Sequence, residues 1–183
     1  MTGVANGGSA AFLVAPWHLA LVCGVAVERL AELLVSVRHA RWARARGGVE
    51  RGRRHYRVMV VVHAGLLAGA VVETGLCDRP FVPALGWPAL AVTAVAQVLR
   101  WWCVRSLGPC WNTRVIVVPG LALSTRGPYR WLRHPNYLVV AVEGIALPLV
   151  HSAWLTALAF TVVNAAVLTV RLRVENAALE LAR

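Results

Sequence analysis

Long apolar runs dominate this sequence and restrict it to a helical membrane architecture. They extend from about Ala11 to Val37, from Val58 to Leu76, from about Trp87 to Trp102, and from Leu138 to Val170. A helix needs about 20 apolar residues to cross roughly 30 Å of hydrocarbon. Hydrophobic residues make up 58% of the chain, whereas soluble domains have roughly 45–50%. We therefore expect one integral membrane domain over residues 1–183.

The last apolar run is too long for one span. It contains 33 residues, and Pro148 and the His151-Ser152 pair favour a break near its middle. We expect two helices of about 13–17 residues each, packed as a hairpin that returns the chain to the face it left. The sequence thus predicts an all-α membrane protein with about five transmembrane segments, three of them within residues 1–102. Arg79–Pro83 and Gly86-Trp87-Pro88 predict a turn-rich loop before the third span.

The positive charge is concentrated in one loop. All 19 basic residues are arginines, and eight of them fall between Arg38 and Arg57. Because this stretch lies between two apolar runs, it is typical of a cytoplasmic loop near anionic lipid headgroups rather than of a nucleic-acid site. The N-terminus is then outside, and residues 103–137 and the C-terminus are cytoplasmic.

Two carboxylates interrupt the first apolar run. Glu28 and Glu32 are four residues apart and share one helix face. Either that face points into the helix bundle, or both carboxylates lie at headgroup depth and pair with arginines of the Arg38–Arg57 loop. The sequence leaves both interpretations open.

A dense polar and aromatic block, residues 127–137, directly precedes the run that starts at Leu138. Polar groups at the mouth of a membrane segment must be satisfied by protein, water or a ligand. A hairpin would bring a second polar cluster beside this block, formed by Arg171, Arg173, Glu175 and Asn176. The two clusters together would offer a cation, a carboxylate, an amide and the His134 imidazole.

These groups suit a zwitterionic ligand that resembles an amino acid, because guanidinium matches a carboxylate and carboxylate matches an ammonium group. The aromatic side chains of Tyr129, Trp131 and Tyr137 can stack on a base or face a sulfonium. S-adenosylmethionine carries all of these features. The alternative is that Arg171 and Glu175 form only an ion pair on one helix face.

The stretch Gly127-Pro128-Tyr129-x-x-x-Arg133-His134-Pro135-x-Tyr137 resembles a signature of the isoprenylcysteine carboxyl methyltransferase family of integral membrane enzymes. A second signature of that family, R-x-x-x-E-E-x-x-L, is similar to residues 171–179. The resemblance covers about residues 100–180. It implies a catalytic region in residues 103–183, S-adenosylmethionine bound from the cytosol, S-adenosylhomocysteine as product, and methyl transfer to a lipophilic small molecule. The implied cofactor-binding residues are Tyr129, Arg133, His134, Pro135, Tyr137, Arg171, Glu175 and Asn176. The candidate catalytic residues are His134, Glu143, Arg171 and Glu175.

The family motif has one departure here, because Asn176 replaces its second acidic residue. With residues 111–120 and Glu143, this pattern resembles a bacterial branch that methylates hydroxyls of alkylpyrones and alkylresorcinols. The resemblance implies O-methylation of a long-chain polyketide at a bacterial plasma membrane. A phenol would need a general base, for which Glu143 and His134 are candidates. Glu143 is alternatively a buried, neutral hydrogen-bonding group.

Other functions remain open at this point. Within methyl transfer, the acceptor is alternatively a prenylcysteine carboxylate or a phospholipid amine. Membrane sterol reductases, which use a nicotinamide cofactor, have elements similar to the Tyr-Arg-His-Pro block but are much longer. A non-enzymatic membrane adaptor is the third alternative. The sequence does not fix the oligomeric state.

Overall fold

Five helices form most of the molecule. The computed structural model describes residues 14–121 and 125–180. The helices are α1 (Pro16–Arg44), α2 (Arg53–Leu76), α3 (Pro83–Leu107), α4 (Pro135–Leu149) and α5 (Trp154–Glu180). Helices account for 77% of the structure, which confirms the prediction of a predominantly helical protein. The predicted start of the first apolar run, at Ala11, lies outside the described residues.

A small antiparallel sheet joins two connections between helices. Strand β1 (Val49–Arg51) follows α1, and strand β2 (Val115–Val117) lies between α3 and α4, with Glu50 opposite Ile116. This sheet is not predictable from the sequence, since strands of three residues give too short a pattern to recognise. The sheet matters for function because it ties the connection between α3 and α4 to the connection between α1 and α2.

The helix starts follow local chemistry. Three helices begin at a proline, Pro16, Pro83 and Pro135, whose fixed φ and missing N–H suit the first helical position. The start of α5 is capped from another helix. The Glu73 carboxylate, near the end of α2, accepts hydrogen bonds from the backbone N–H of Leu155 at 3.2 Å and of Thr156 at 2.7 Å.

Two helical segments of the described part, Tyr56–Leu76 and Trp154–Ala178, are long and apolar enough to cross a membrane. The shorter apolar helix α4 packs against α3 and α5. Large apolar side chains face outward from these helices, among them Val61 and Val162, which are 69% and 64% exposed. These outward faces suit contact with lipid. The crossing of the membrane by all five helices stays a prediction.

The observed helix ends agree with the prediction at one place and differ from it at two others. The predicted break in the last run is confirmed, since α4 ends at Leu149 and α5 begins at Trp154. However, α5 has 27 residues, more than expected, because no proline or glycine interrupts it before its end. Similarly, α1 continues through the first arginines of the supposed loop, to Arg44, and stops before Gly47.

The predicted turn at Gly86-Trp87-Pro88 is wrong, because α3 already begins at Pro83 and includes these residues. Pro88 lies within the first two turns of α3, where its missing N–H costs a single hydrogen bond. Gly86 has a packing role instead. A β-carbon at this position would collide with the ring of Phe81.

Candidate functional site

A cavity of about 320 Å³ lies where α3, α4 and α5 meet the connection that carries β2. Its volume falls in the roughly 300–1,000 Å³ range of small-molecule sites. One part of its lining is polar and contains Asn112, Arg114, Thr125, Tyr129, Arg133, His134, Asn136, Tyr137, Arg171 and Glu175. The other part is mainly apolar and contains Leu107, Cys110, Trp111, Val115, Ile116, Val117, Val118 and Leu121.

Arg171 is the buried cation of this cavity, with only 4% of its surface exposed. Its Nε donates to the Tyr137 hydroxyl at 2.8 Å, and its Nη1 donates to the Thr113 carbonyl at 2.6 Å. The same Nη1 lies 2.9 Å from the Met59 sulfur, and Nη2 lies 3.4 Å from the Asn112 carbonyl. These contacts from three directions fix the plane of the guanidinium.

Tyr137 connects Arg171 to Glu175. The Tyr137 hydroxyl accepts from Arg171 and donates to Glu175 Oε2. Arg171 and Glu175 share a helix face as predicted, yet the phenol oxygen lies between them. Their relation is therefore a relay through Tyr137 rather than the simple ion pair considered from the sequence.

His134 completes this group from the start of α4. It is the residue before the first helical position, and its side chain makes no capping hydrogen bond. The ring instead stacks on Tyr137, with centroids 5.4 Å apart and planes 13° apart. His134 Nδ1 lies 3.6 Å from Glu175 Oε1. Glu175 is thus shared between a phenol and an imidazole.

Tyr129 lines the cavity from the short helical turn Gly127–Arg130. Its hydroxyl lies near the thiol of Cys103 on α3. Burial, together with the nearby Cys103 and Glu175, raises the pKa of the Tyr129 phenol above its ordinary value. Tyr129 therefore stays protonated and acts as a hydrogen-bond donor or an aromatic wall, not as a base.

The remaining predicted cofactor residues divide into two groups. Arg133 lines the cavity, and its exposed side chain makes no ion pair with another described residue. Pro135 and Asn176 are not part of the lining of the described cavity; Pro135 begins α4. Asn136, which belongs to the predicted polar block but not to the predicted cofactor-binding residues, does line it. Its Oδ1 is buried without a hydrogen-bond partner among the described residues, which points to a missing donor.

Glu143 does not line this cavity, although it was predicted as a candidate base for the reaction. It is 3% exposed and accepts hydrogen bonds from Arg29 of α1 and Arg100 of α3. Glu143 follows Tyr137 by six residues on α4, so it lies about 9 Å deeper along the helix. A carboxylate held by two guanidinium groups is a poor proton acceptor. The alternative interpretation is correct that Glu143 is buried and hydrogen-bonded, but its two ion pairs contradict the neutral form.

The same buried cluster decides between the two interpretations of the α1 carboxylates. Glu32 is 2.7 Å from Arg29 and 3.4 Å from Arg100 Nε, inside the bundle. Glu28 accepts from the indole N–H of Trp101 on α3. Both carboxylates therefore face the bundle, and pairing with the Arg38–Arg57 loop is wrong.

Sequence reasoning missed Asn112 and Arg114, which come just before β2. Arg114 lines the cavity and donates to Glu50 Oε1 at 3.0 Å. Glu50 also accepts from Arg44 at 2.7 Å. Burial alone would raise the pKa of Glu50, but the hydrogen bonds from Arg44 and Arg114 outweigh it and hold this pKa below its ordinary value. The density of arginine around residues 44–57 was the available signal for such a pairing.

Residues of both predicted signatures thus meet in one polar cavity at the helix ends of this bundle. A model of the isoprenylcysteine carboxyl methyltransferase family matches residues 89–181, about half of the chain. This chain belongs to that family, which consists of membrane-associated methyltransferases. The match covers α4 and α5 in full and leaves α1 outside.

Two bacterial relatives extend the likeness over almost the whole chain. An uncharacterized protein of Bacillus subtilis, YpbQ, is 35% identical over 161 residues, which is 87% of this chain and 95% of the relative. An uncharacterized protein of Haemophilus influenzae is 24% identical over 163 residues, 88% of this chain and 94% of the relative. No solved structure matches the chain.

Proposed function

We propose that this protein transfers a methyl group from S-adenosylmethionine to a lipophilic small-molecule acceptor and releases S-adenosylhomocysteine. The family supports methyl transfer. The observation that carries the proposal is the cavity in which Arg171, Tyr137 and Glu175 are hydrogen-bonded in series and His134 stacks on Tyr137 beside Glu175. This group, from the two ends of the α4–α5 hairpin, is open to the polar side of the bundle.

The residues present fit the cofactor. Glu175 offers a carboxylate for an ammonium group or ribose hydroxyls, and the guanidinium of Arg133 matches a carboxylate. Asn136 Oδ1, which has no partner among the described residues, suits an N–H or O–H donor. The rings of Tyr129 and Tyr137 provide faces for a base or a sulfonium. When bound, the cofactor supplies an electrophilic methyl group on a positively charged sulfur.

The chain's own residues act mainly by positioning and by handling one proton. Arg171 is fixed by Tyr137 and by two backbone carbonyls, so it orients ligands without needing to reorganise. The apolar residues around β2 form a wall without hydrogen-bonding side chains on one side of the cavity. His134 takes the acceptor's proton at Nε2, because its Nδ1–H faces Glu175, whose charge stabilises the imidazolium.

The apolar part of the lining supports a lipophilic acceptor. Val115, Val117, Val118 and Leu121 offer hydrocarbon surface beside the polar group. The acceptor we propose first is the hydroxyl of a long-chain polyketide, an alkylpyrone or an alkylresorcinol, because the 111–120 segment and Asn176 resemble that branch. An ionised pyrone needs no base, whereas a resorcinol needs His134. Carboxyl methylation of prenylcysteine and N-methylation of phospholipids are the competing acceptors.

We place the protein in a bacterial plasma membrane with five spans. The N-terminus is then outside, and the cavity and the C-terminus face the cytoplasm, beside the arginines of residues 38–57 and the lipid headgroups. A reporter fused to the C-terminus should be active only in the cytoplasm. An external signal would contradict this arrangement.

Calorimetry on the purified protein in detergent tests the function. S-adenosylmethionine should bind saturably, and His134→Ala should weaken binding about 10- to 100-fold, because Tyr137 and Glu175 lose the imidazole that packs against them. The matched control is His151→Ala at the opposite end of the hairpin, which should leave the dissociation constant unchanged. A folded wild-type protein that binds no S-adenosylmethionine would refute the proposal.

The acceptor is then identified by methylation assays. Alkylpyrones, alkylresorcinols, prenylcysteines and phosphatidylethanolamine should be compared under identical conditions, with product detected by mass. Methylation of the first two alone supports the polyketide acceptor. Methylation of only one of the other two identifies that competitor as the substrate class.

A further inference from the structure

We infer that Ser36, on α1, is a positioning residue for the cavity. Ser36 is not itself a lining residue of the described cavity, and it acts through the lining residue Asn112 and the backbone of residues 111–113. Its predicted effect on ligand binding rests on the proposed function, whereas its effect on the 111–113 backbone does not. Helix α1 lies outside the part of the chain that matches the family model.

The Ser36 hydroxyl makes all three of its possible hydrogen bonds to this segment. Ser36 Oγ donates to Asn112 Oδ1 at 2.8 Å and accepts from the Thr113 backbone N–H at 3.1 Å. The Thr113 hydroxyl lies 2.7 Å away and donates to the second lone pair. Ser36 is 2% exposed, so water does not replace these bonds. One hydroxyl thus anchors two consecutive residues.

Two further contacts fix the same segment on the same helix face. Asn112 Nδ2 donates to the Ser36 carbonyl at 3.3 Å. One turn further along α1, His39 Nδ1 lies 2.8 Å from the Trp111 carbonyl. Asn112 Oδ1 also accepts from the Arg114 backbone N–H at 3.0 Å. The segment is therefore held at three consecutive residues by α1 and at a fourth by Asn112 itself.

The anchored segment is what orients Arg171. The carbonyls of Asn112 and Thr113 accept from its two terminal nitrogens, at 3.4 Å and 2.6 Å. Because a guanidinium is planar, these two carbonyls set the direction in which Nε meets the Tyr137 hydroxyl. A shift of the segment would turn the guanidinium and loosen the link from Tyr137 to Glu175. Ser36 is thus coupled to the cavity through backbone carbonyls.

The test combines a local and a functional measurement on Ser36→Ala. Hydrogen exchange, resolved by peptides in mass spectrometry, should show faster exchange in residues 111–118. The dissociation constant of S-adenosylmethionine should rise about tenfold, a usual strength for coupling between sites. The matched control is Thr93→Val, which removes an equally buried hydroxyl that donates only to the Ala89 carbonyl of its own helix. It should change neither quantity.

A double-mutant cycle separates positioning from general destabilisation. In an Arg171→Lys background the carbonyls no longer orient a planar group, so Ser36→Ala should weaken binding no further. Full additivity of the two substitutions would overturn the inference, as would unchanged exchange in residues 111–118. If the wild-type protein binds no S-adenosylmethionine, the proposed function fails. Exchange of residues 111–118 then decides the inference alone, faster exchange supporting it and unchanged exchange refuting it.

Discussion

Replacing Glu143 by glutamine should lower the free energy of unfolding and leave the chemical step intact. Glu143 is buried and forms ion pairs with Arg29 and Arg100. Glu32 supplies the second negative charge of this cluster, so that two carboxylates face two guanidinium groups. Removing one partner of a buried ion pair costs about 3–5 kcal/mol, because the other charge stays buried. Since the amide keeps one acceptor oxygen, we expect the lower value, about 3 kcal/mol.

For a chain of this length, each kcal/mol of unfolding free energy corresponds to about 2–4 °C in melting temperature. The melting temperature of Glu143→Gln should therefore be about 6–12 °C lower than that of the wild type. Tryptophan fluorescence in detergent follows the unfolding, and the affinity for S-adenosylmethionine should be unchanged. The control is the double variant Arg100→Gln, Glu143→Gln. It restores the charge balance and should recover about 1–2 kcal/mol relative to the sum of the single effects.

The opposite pattern would refute the reasoning. A Glu143→Gln protein that melts within about 2 °C of the wild type, binds cofactor normally and loses turnover on a phenolic acceptor would make Glu143 a base after all. Its deep position and its two arginine partners would then have to change when the acceptor binds.

The remaining predictions concern the cavity, the sheet and the hairpin. Tyr137→Phe removes the donor to Glu175 and should weaken S-adenosylmethionine binding about 10- to 100-fold; unchanged affinity in calorimetry would exclude the relay. Glu50→Gln should lower the melting temperature at neutral pH. Because the pKa of Glu50 is held below its ordinary 4.5, its contribution is present above pH 4.5 and disappears as the pH falls through the lowered pKa; a gap to the wild type that persists in acid would contradict this. Gly144→Ala should destabilise the hairpin by about 1–3 kcal/mol, since a β-carbon there collides with Phe160; the added substitution Phe160→Leu should restore part of the melting temperature.

The proximity of the two polar clusters was predictable from the sequence for a simple geometric reason. A long apolar run with a break in the middle folds back on itself, so the groups that flank it must meet. His134 and Tyr137 at one end do face Arg171 and Glu175 at the other. The position of Tyr137 between Arg171 and Glu175 was not predictable. Residue spacing shows that Arg171 and Glu175 share a helix face, but it does not show that a phenol from another helix lies between them.

The parts that sequence reasoning missed depend on partners far away in the chain. Glu143 looked like a free carboxylate near a polar motif, and only the packing of α1 and α3 against α4 shows that two arginines hold it. Ser36 was not recognised, since a single serine in an apolar helix has no periodicity or motif. The carbonyls that bind Arg171 belong to the backbone and leave no trace in residue type.

These same contacts make α1 a working part of the enzyme rather than an added anchor. Its residues Arg29 and Glu32 balance the charges of Glu143 and Arg100, within the region that matches the family model. Ser36 lies on α1 two helical turns after Arg29. It fixes the backbone whose carbonyls orient Arg171 in the cavity. A chain without α1 would leave a buried carboxylate and a buried guanidinium with incomplete partners, which membrane-embedded protein tolerates poorly. We therefore expect the matched half of the chain to be less stable without α1.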